Sequence, residues 1–221
     1  MDLRSRLGIR LLLGVPCIAA VLFCPAGSLK FWQGWLFLAT FLAGNLALTY
    51  YLYRHDPRLL ERRLLSKETG REQKLFRMIW IPLWVGGLML PGLDHRFGWS
   101  RVPAWLTLFA TALVMCAYYL LFVVMRANSF ASSVIQVEAG QRVISDGPYR
   151  IVRHPMYSTF LVLIVAVPLA LGSYVSLPVF ALLIPLLIFR LVHEETMLRK
   201  ELPCYAEYCR RTRFRLVPFI F

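Results

Sequence analysis

Negative charge is scarce in this chain. Its 221 residues hold 12 Asp and Glu against 25 Lys and Arg, a formal net charge of +13, and charged residues make up only 17%. A soluble domain carries about 25%. Together with 58% hydrophobic residues and a mean hydropathy of +0.59, this excludes a disordered chain and argues against a water-soluble globule. Cysteine is sparse as well. Cys17, Cys24 and Cys116 fall in apolar runs and Cys204 and Cys209 near the end, with no Cys-x-x-Cys and no His/Cys cluster at zinc spacing. No structural disulfide and no metal are therefore expected. Gly-x-Gly-x-x-Gly is missing, so nothing supports a Rossmann dinucleotide site. There is no internal repeat and no low-complexity linker. Polar residues inside the apolar runs are few. Asn45 is the main exception, and it suits an interhelical hydrogen bond better than a transport site.

What abounds is long apolar sequence. A membrane helix needs about 20 mostly apolar residues. The run 8–29 holds one charge, Arg10; the runs 31–53 and 102–125 hold none. The run 158–192 is 35 residues with Arg190 as its only charge, too long for one span. Gly172-Ser173-Tyr174 is a natural turn that divides it into 158–171 and 175–192. The run 78–93 is only 16 residues and contains Gly86-Gly87. The total is six spans, or five if that short run is re-entrant. In lipid the backbone must satisfy itself, so these runs are read as helices. The first is followed almost at once by a second, which predicts an uncleaved helix rather than a secretory signal.

The basic residues follow this division. Lys and Arg gather on cytoplasmic loops. Of the 25, 21 lie in the N-terminus, the 54–77 loop, the 126–157 loop and the tail, whereas Lys30, Arg96 and Arg101 lie on the other side. Six spans then put both termini in the cytoplasm. The basic excess reads as the topology of a multi-pass membrane protein, a cell-membrane one in a prokaryote, and not as nucleic-acid binding. The chain also changes character near residue 126. Residues 1–125 carry four hydrophobic segments, and residues 126–221 carry nearly all the polar groups that look placed for chemistry.

Within the second part, residues 128–157 read NSFASSVIQVEAGQRVISDGPYRIVRHPMY. The pieces 134–137 and 142–145 suit short extended segments with a turn at Gly140-Gln141, and Asp146-Gly147-Pro148 is a turn by its residue types. Pro155 disfavours helical geometry at His154 and suits a first helical turn, which places His154 at a helix mouth. Exposed N–H groups there favour anions, and Arg150 and Arg153 add positive charge. Two readings stand side by side: an anion or nucleotide pocket, or a topology-setting basic loop with aromatic interfacial anchors. Farther on, Arg190 and Glu194 are four apart and share a helix face, as do Glu195 and Arg199. The bland reading is a pair of surface ion pairs. The sharper one notes that Glu194 and Glu195 point about 100° apart, so one can pair within the protein while the other faces a ligand. In the tail, Leu198, Leu202, Tyr205 and Tyr208 alternate with charges around Pro203, an amphipathic pattern that either closes a pocket or anchors at the interface.

These two elements together resemble a known family. GPYRIVRHPMY at 147–157 is similar to the GPYxxxRHPxY signature of integral-membrane methyltransferases. Arg190, Glu194, Glu195, Leu198, Tyr205, Tyr208 and Pro218 resemble the R-x-x-x-E-E-x-x-L…Y-x-x-Y…P ending of the isoprenylcysteine carboxyl methyltransferase family and its prokaryotic relatives. Where that ending usually has Phe-Gly, this chain has Leu202-Pro203. The resemblance covers about 126–218. It implies an all-α integral membrane protein of five to six transmembrane helices. Its cytoplasmic cofactor pocket would be built from the 126–157 segment and the C-terminal helix and tail. S-adenosylmethionine would be the cofactor, held by Gln141, Arg142, Val143, Ile144, Tyr149, His154, Pro155, Met156, Tyr157 and Glu194. Arg190 would bind the acceptor's carboxylate, and Arg190, Arg153 and Glu195 are the candidate catalytic residues. Glu195 would serve as base if the acceptor were an amine. The acceptor would be lipid-like or prenylcysteine-like, entering from the bilayer. A membrane reductase of the sterol-reductase-like type, gripping NADPH through the Arg-rich loop, is the second reading; a non-enzymatic small membrane protein is the third.

Overall fold

The computed structural model describes residues 3–65, 71–131 and 140–220. All regular structure among them is helical. The N-terminal part contains α1 (Leu3–Ala26), α2 (Trp32–His55), the short amphipathic α3 (Pro57–Leu65), α4 (Arg71–Phe97) and α5 (Ala104–Ala127). After a 3₁₀ turn at Gly147–Arg150 come α6 (Pro155–Ala170), α7 (Leu177–Ala181), α8 (Leu183–Glu201) and α9 (Tyr205–Arg211).

Five helical stretches are long and apolar enough to cross a membrane, the last being Leu177–Glu201, which joins α7 and α8. The short 78–93 run is the middle of a continuous 27-residue helix, not a re-entrant hairpin. Polar flanks on both sides carry the helix beyond its apolar stretch. The short element is instead α6, at 16 residues about 24 Å long, against a hydrocarbon core of about 30 Å. The turn at 172–174 divides the long apolar run as its residue types predict, with Gly172 at φ +74°. Piece 134–137 lies outside the described residues. At 141–145 the chain is irregular and forms no strand.

Small residues set the helix contacts, as expected where apolar surface alone cannot drive helices together in lipid. A Cβ at Gly92 of α4 would lie 2.6 Å from the Leu22 carbonyl oxygen and 3.0 Å from the Ala26 nitrogen of α1. A Cβ at Gly44 of α2 would meet the Tyr118 ring of α5 at 2.5 Å. Asn45 Nδ2 beside it donates to the Tyr118 hydroxyl at 2.6 Å, the interhelical bond its position predicts. Because the atoms facing Gly92 are backbone and have nowhere to go, Gly92→Ala is expected to destabilise the protein by about 1–3 kcal/mol. Gly86→Ala, which meets nothing within 4 Å, is expected to leave stability unchanged or slightly raised. Thermal unfolding of both variants in detergent checks this; equal effects would contradict the close α1–α4 contact.

The apolar core runs through the bundle, with Leu22, Val114, Ile164, Phe180 and Leu187 fully buried. At one end, buried Asp94 accepts hydrogen bonds from the Ser100 amide at 2.6 Å and from the Ser100 and Ser173 hydroxyls at 2.5 Å each. That pins the α6–α7 turn to the end of α4. At the other end, Leu59 and Leu60 of α3 pack with Leu52 and Met125. Arg62 and Arg63 of α3 donate to the Ser129 and Ala131 carbonyls, each at 2.8 Å. The tail doubles back across the start of α6. The Arg153 and His154 amides donate to the Phe214 and Arg215 carbonyls at 2.9 and 3.0 Å, and the Ser158 hydroxyl donates to the Leu216 carbonyl at 2.6 Å.

Candidate active site

The start of α6 fixes the site. His154 takes the non-helical position before the helix, at φ −126°, and Pro155 opens the first turn, as the sequence predicts. Beside it α8 carries Arg190, Glu194, Met197 and Leu198 at spacings of four, three and one, which share one helix face. Between α6, α8, α9 and the 141–149 segment lies a cleft with an accessible volume of about 100 Å³. Gln141, Arg142, Val143 and Ile144 form one wall, with Tyr149. His154, Pro155, Met156 and Tyr157 form the opposite one, and Arg190 and Glu194 close it from α8. Arg153 also lines it. Every residue expected to hold the cofactor is thus brought to one cavity.

The two adjacent glutamates divide as their helical spacing predicts. Glu194 lines the cleft, and its Oε2 accepts the Tyr157 hydroxyl at 2.5 Å. The same Tyr157 oxygen accepts from Arg190 Nε at 3.2 Å, so the tyrosine receives from the arginine and donates to the glutamate. The Arg190 guanidinium also stands 4.8 Å over the Phe76 ring, a cation–π arrangement. Glu195 is 3% exposed and does not line the cleft. Its Oε1 lies 2.7 Å from Arg153 Nη1 and 3.3 Å from His154 Nε2, and its Oε2 lies 3.1 Å from Arg215 Nε. Arg153 donates further to the Arg213 carbonyl at 3.0 Å.

Three charges are placed differently from one another. Glu195, considered as a base, is a counter-ion that ties α8 to the start of α6 and to the tail. Arg153, considered catalytic, pairs with that carboxylate, while its Nε has no hydrogen-bond partner among the described residues. Arg150 is exposed and outside the cleft. The amides of Arg153 and His154 are occupied by the Phe214 and Arg215 carbonyls of the tail.

The tail pattern meets the pocket-closing alternative: Tyr205 and Tyr208, three apart on α9, line the cleft with Leu198 and Leu202. Phe130, Ala131 and Met197 also line it and carried no sequence signal. The Tyr208 hydroxyl donates to the Tyr149 carbonyl at 2.7 Å, and the Tyr149 hydroxyl accepts from Asn128 Nδ2 at 2.9 Å. Burial pushes the Tyr149 hydroxyl up to about 12, with the Asn128 hydrogen bond pulling the other way. Burial likewise raises Tyr205 and Tyr208. All three are neutral hydroxyls at neutral pH. The Tyr205 hydroxyl is buried and has no hydrogen-bond partner among the described residues. An orphaned donor on a cavity wall is a place where a ligand's acceptor atom fits.

A second cavity of about 250 Å³ adjoins the first. Phe76, Trp80 and Ile81 of α4, Phe160 of α6 and Leu187 of α8 make it apolar, and Arg63, Arg77 and Arg190 charge it. Met156, Tyr157 and Arg190 line both cavities. Residues 105–200 match the model of the isoprenylcysteine carboxyl methyltransferase (ICMT) family. The matched stretch runs from α5 through nearly all of α8 and includes Tyr149, the His154–Tyr157 wall, Arg190 and Glu194. The ICMT match supports a methyltransferase in a multi-pass membrane protein. It stops short of α9 and the tail, and begins after α3 and α4.

Proposed function

We propose that this chain is an S-adenosylmethionine-dependent methyltransferase that methylates a carboxylate on a lipid-like, prenylcysteine-like acceptor. The observation that carries this reading is the wall shared by the two cavities. A polar cleft and an apolar groove meet at Met156, Tyr157 and Arg190, so a donor in one and an acceptor in the other come together at three side chains. The basic loops favour a cleft on the cytoplasmic side, and both termini share that side when the short α6 crosses together with the five long stretches.

The cleft suits the donor. It offers a carboxylate, Glu194, and neutral tyrosine hydroxyls for a ligand carrying a cationic centre, a ribose and an adenine ring, and Tyr205 offers the unused donor. Bound there, S-adenosylmethionine would supply an electrophilic methyl group on a sulfonium. The chain's own part is placement. Glu194 sets negative charge on the cleft wall. Tyr157, held between Glu194 and Arg190, fixes both side chains relative to each other. Arg190, at the junction, orients the acceptor's carboxylate by a charge-assisted contact. A carboxylate is already ionised at neutral pH, so no residue must remove a proton. Orientation and exclusion of water are what remain to be supplied. Among the described residues the shared wall holds Met156, Tyr157 and Arg190 and no carboxylate, and Glu195 is turned to Arg153 and Arg215.

Arg190→Ala is expected to lower kcat/KM for methyl transfer to a farnesylated cysteine carboxylate by about 10- to 100-fold, one lost charge-assisted hydrogen bond. Affinity for S-adenosylmethionine should be unchanged. Transfer of labelled methyl in detergent, with calorimetry on the same samples, checks it. The reverse pattern, intact transfer with lost cofactor affinity, would exchange the roles of Arg190 and Glu194.

A further inference from the structure

Arg63 is the unexplained cation of the molecule. It belongs to α3, in the basic loop that topology alone accounts for, and lies outside the residues matched to the ICMT family. Yet it is half-buried, and it lines the same apolar groove as Arg190. Its Nη1 donates to the Ala131 carbonyl at 2.8 Å and touches Met156 Sδ at 4.0 Å. Met156 belongs to the shared wall, so Arg63 stands at the same junction as Arg190. A guanidinium lining a groove with Phe76, Trp80 and Phe160 is costly to desolvate unless something rewards it. One carbonyl and one thioether are a thin return for a side chain with five donors. No acidic residue lines the groove among its described residues. Desolvation pulls Arg63 down to about 10, with Tyr149 opposing, so it keeps its charge at neutral pH.

We propose that Arg63 is a second acceptor-reading cation, which grips the anionic head of an amphiphile in the groove together with Arg190. This deepens the proposed methyltransferase reading and rests on it for the identity of the acceptor. Two cations, one on α3 and one on α8, give a groove with so apolar a lining a positive charge. The apolar chain of the ligand lies along Trp80, Ile81 and Leu187, and its carboxylate ends between the guanidiniums. Arg63 is thereby a specificity residue. It selects an acid over a neutral lipid of the same chain, and it holds the carboxylate against the shared wall without contacting the cofactor cleft.

The probes are a farnesylated cysteine carboxylate and its primary amide, which differ in charge and little in shape. Their binding is followed by quenching of tryptophan fluorescence, since Trp80 lines the groove. The full-length protein in neutral detergent is compared with Arg63→Gln and Arg63→Lys. The wild type should bind the acid at least tenfold more tightly than the amide. Arg63→Gln should lose about tenfold on the acid and nothing on the amide. Arg63→Lys should keep most of the preference. Unchanged acid preference in Arg63→Gln overturns the proposal. So does equal loss of both probes in both variants, which would make Arg63 only a clamp between α3 and residue 131. S-adenosylmethionine titrated into the same samples reads the other claim independently. Absent cofactor binding with an intact acid preference would remove the methyltransferase reading and leave the anion-binding role of Arg63 standing.

Discussion

Glu194→Gln is expected to weaken S-adenosylmethionine binding by about 10- to 100-fold and to leave thermal unfolding unchanged. The glutamine keeps an oxygen that accepts the Tyr157 hydroxyl, so the α6–α8 contact at 2.5 Å has a replacement. What disappears is the negative charge on the cleft wall. A hydrogen bond to a charged group is worth about 1.5–3 kcal/mol, and that sets the size of the loss. Calorimetric titration of the variant against the wild type reads it directly. Normal cofactor affinity would take Glu194 out of the site.

The neighbouring residue should behave in the opposite way. Glu195→Leu is expected to lower stability by about 3–5 kcal/mol, the cost of removing one partner from a buried ionic cluster. It would leave the guanidiniums of Arg153, 9% exposed, and Arg215 without their carboxylate, and His154 beside them. The tail from Arg213 to Leu216 is held over α6 by the same cluster, so α9 and the lid it forms on the cleft should loosen too. The expected signature is a lower unfolding temperature in detergent with early proteolysis near the C-terminus. A stable Glu195→Leu protein that has lost only activity would return Glu195 to the chemistry. Two adjacent glutamates with opposite phenotypes, one binding and one stability, would be strong support for the geometry.

Much of this was legible in the sequence because membrane helices announce themselves by length and charge. The 172–174 turn, the position of His154 ahead of Pro155, and the separation of Glu194 from Glu195 all follow from local stereochemistry. The illegible parts share a cause. They depend on which distant partner a charged group meets. Arg150 and Arg153 look alike in sequence, but Arg153 faces Glu195 and Arg150 faces outward. Arg62 and Arg63 are neighbours in one basic loop, and Arg63 lines the groove. The 78–93 run looked too short to cross because its polar flanks conceal a helix of 27 residues. The pairing of the Arg153 and His154 amides with the Phe214 and Arg215 carbonyls had no sequence signal, since backbone acceptors are the same for every residue.

The central claim is that the cleft between α6, α8 and α9 is a methyl-donor site. Calorimetric titration of the purified chain in detergent with S-adenosylmethionine and, separately, with NADPH tests it most directly. One-to-one binding of S-adenosylmethionine and no heat from NADPH are expected, because Glu194 sets negative charge on the cleft wall, which suits a sulfonium and opposes a phosphate. Binding of NADPH without binding of S-adenosylmethionine, by protein that unfolds cooperatively, would contradict it and point to a reductase.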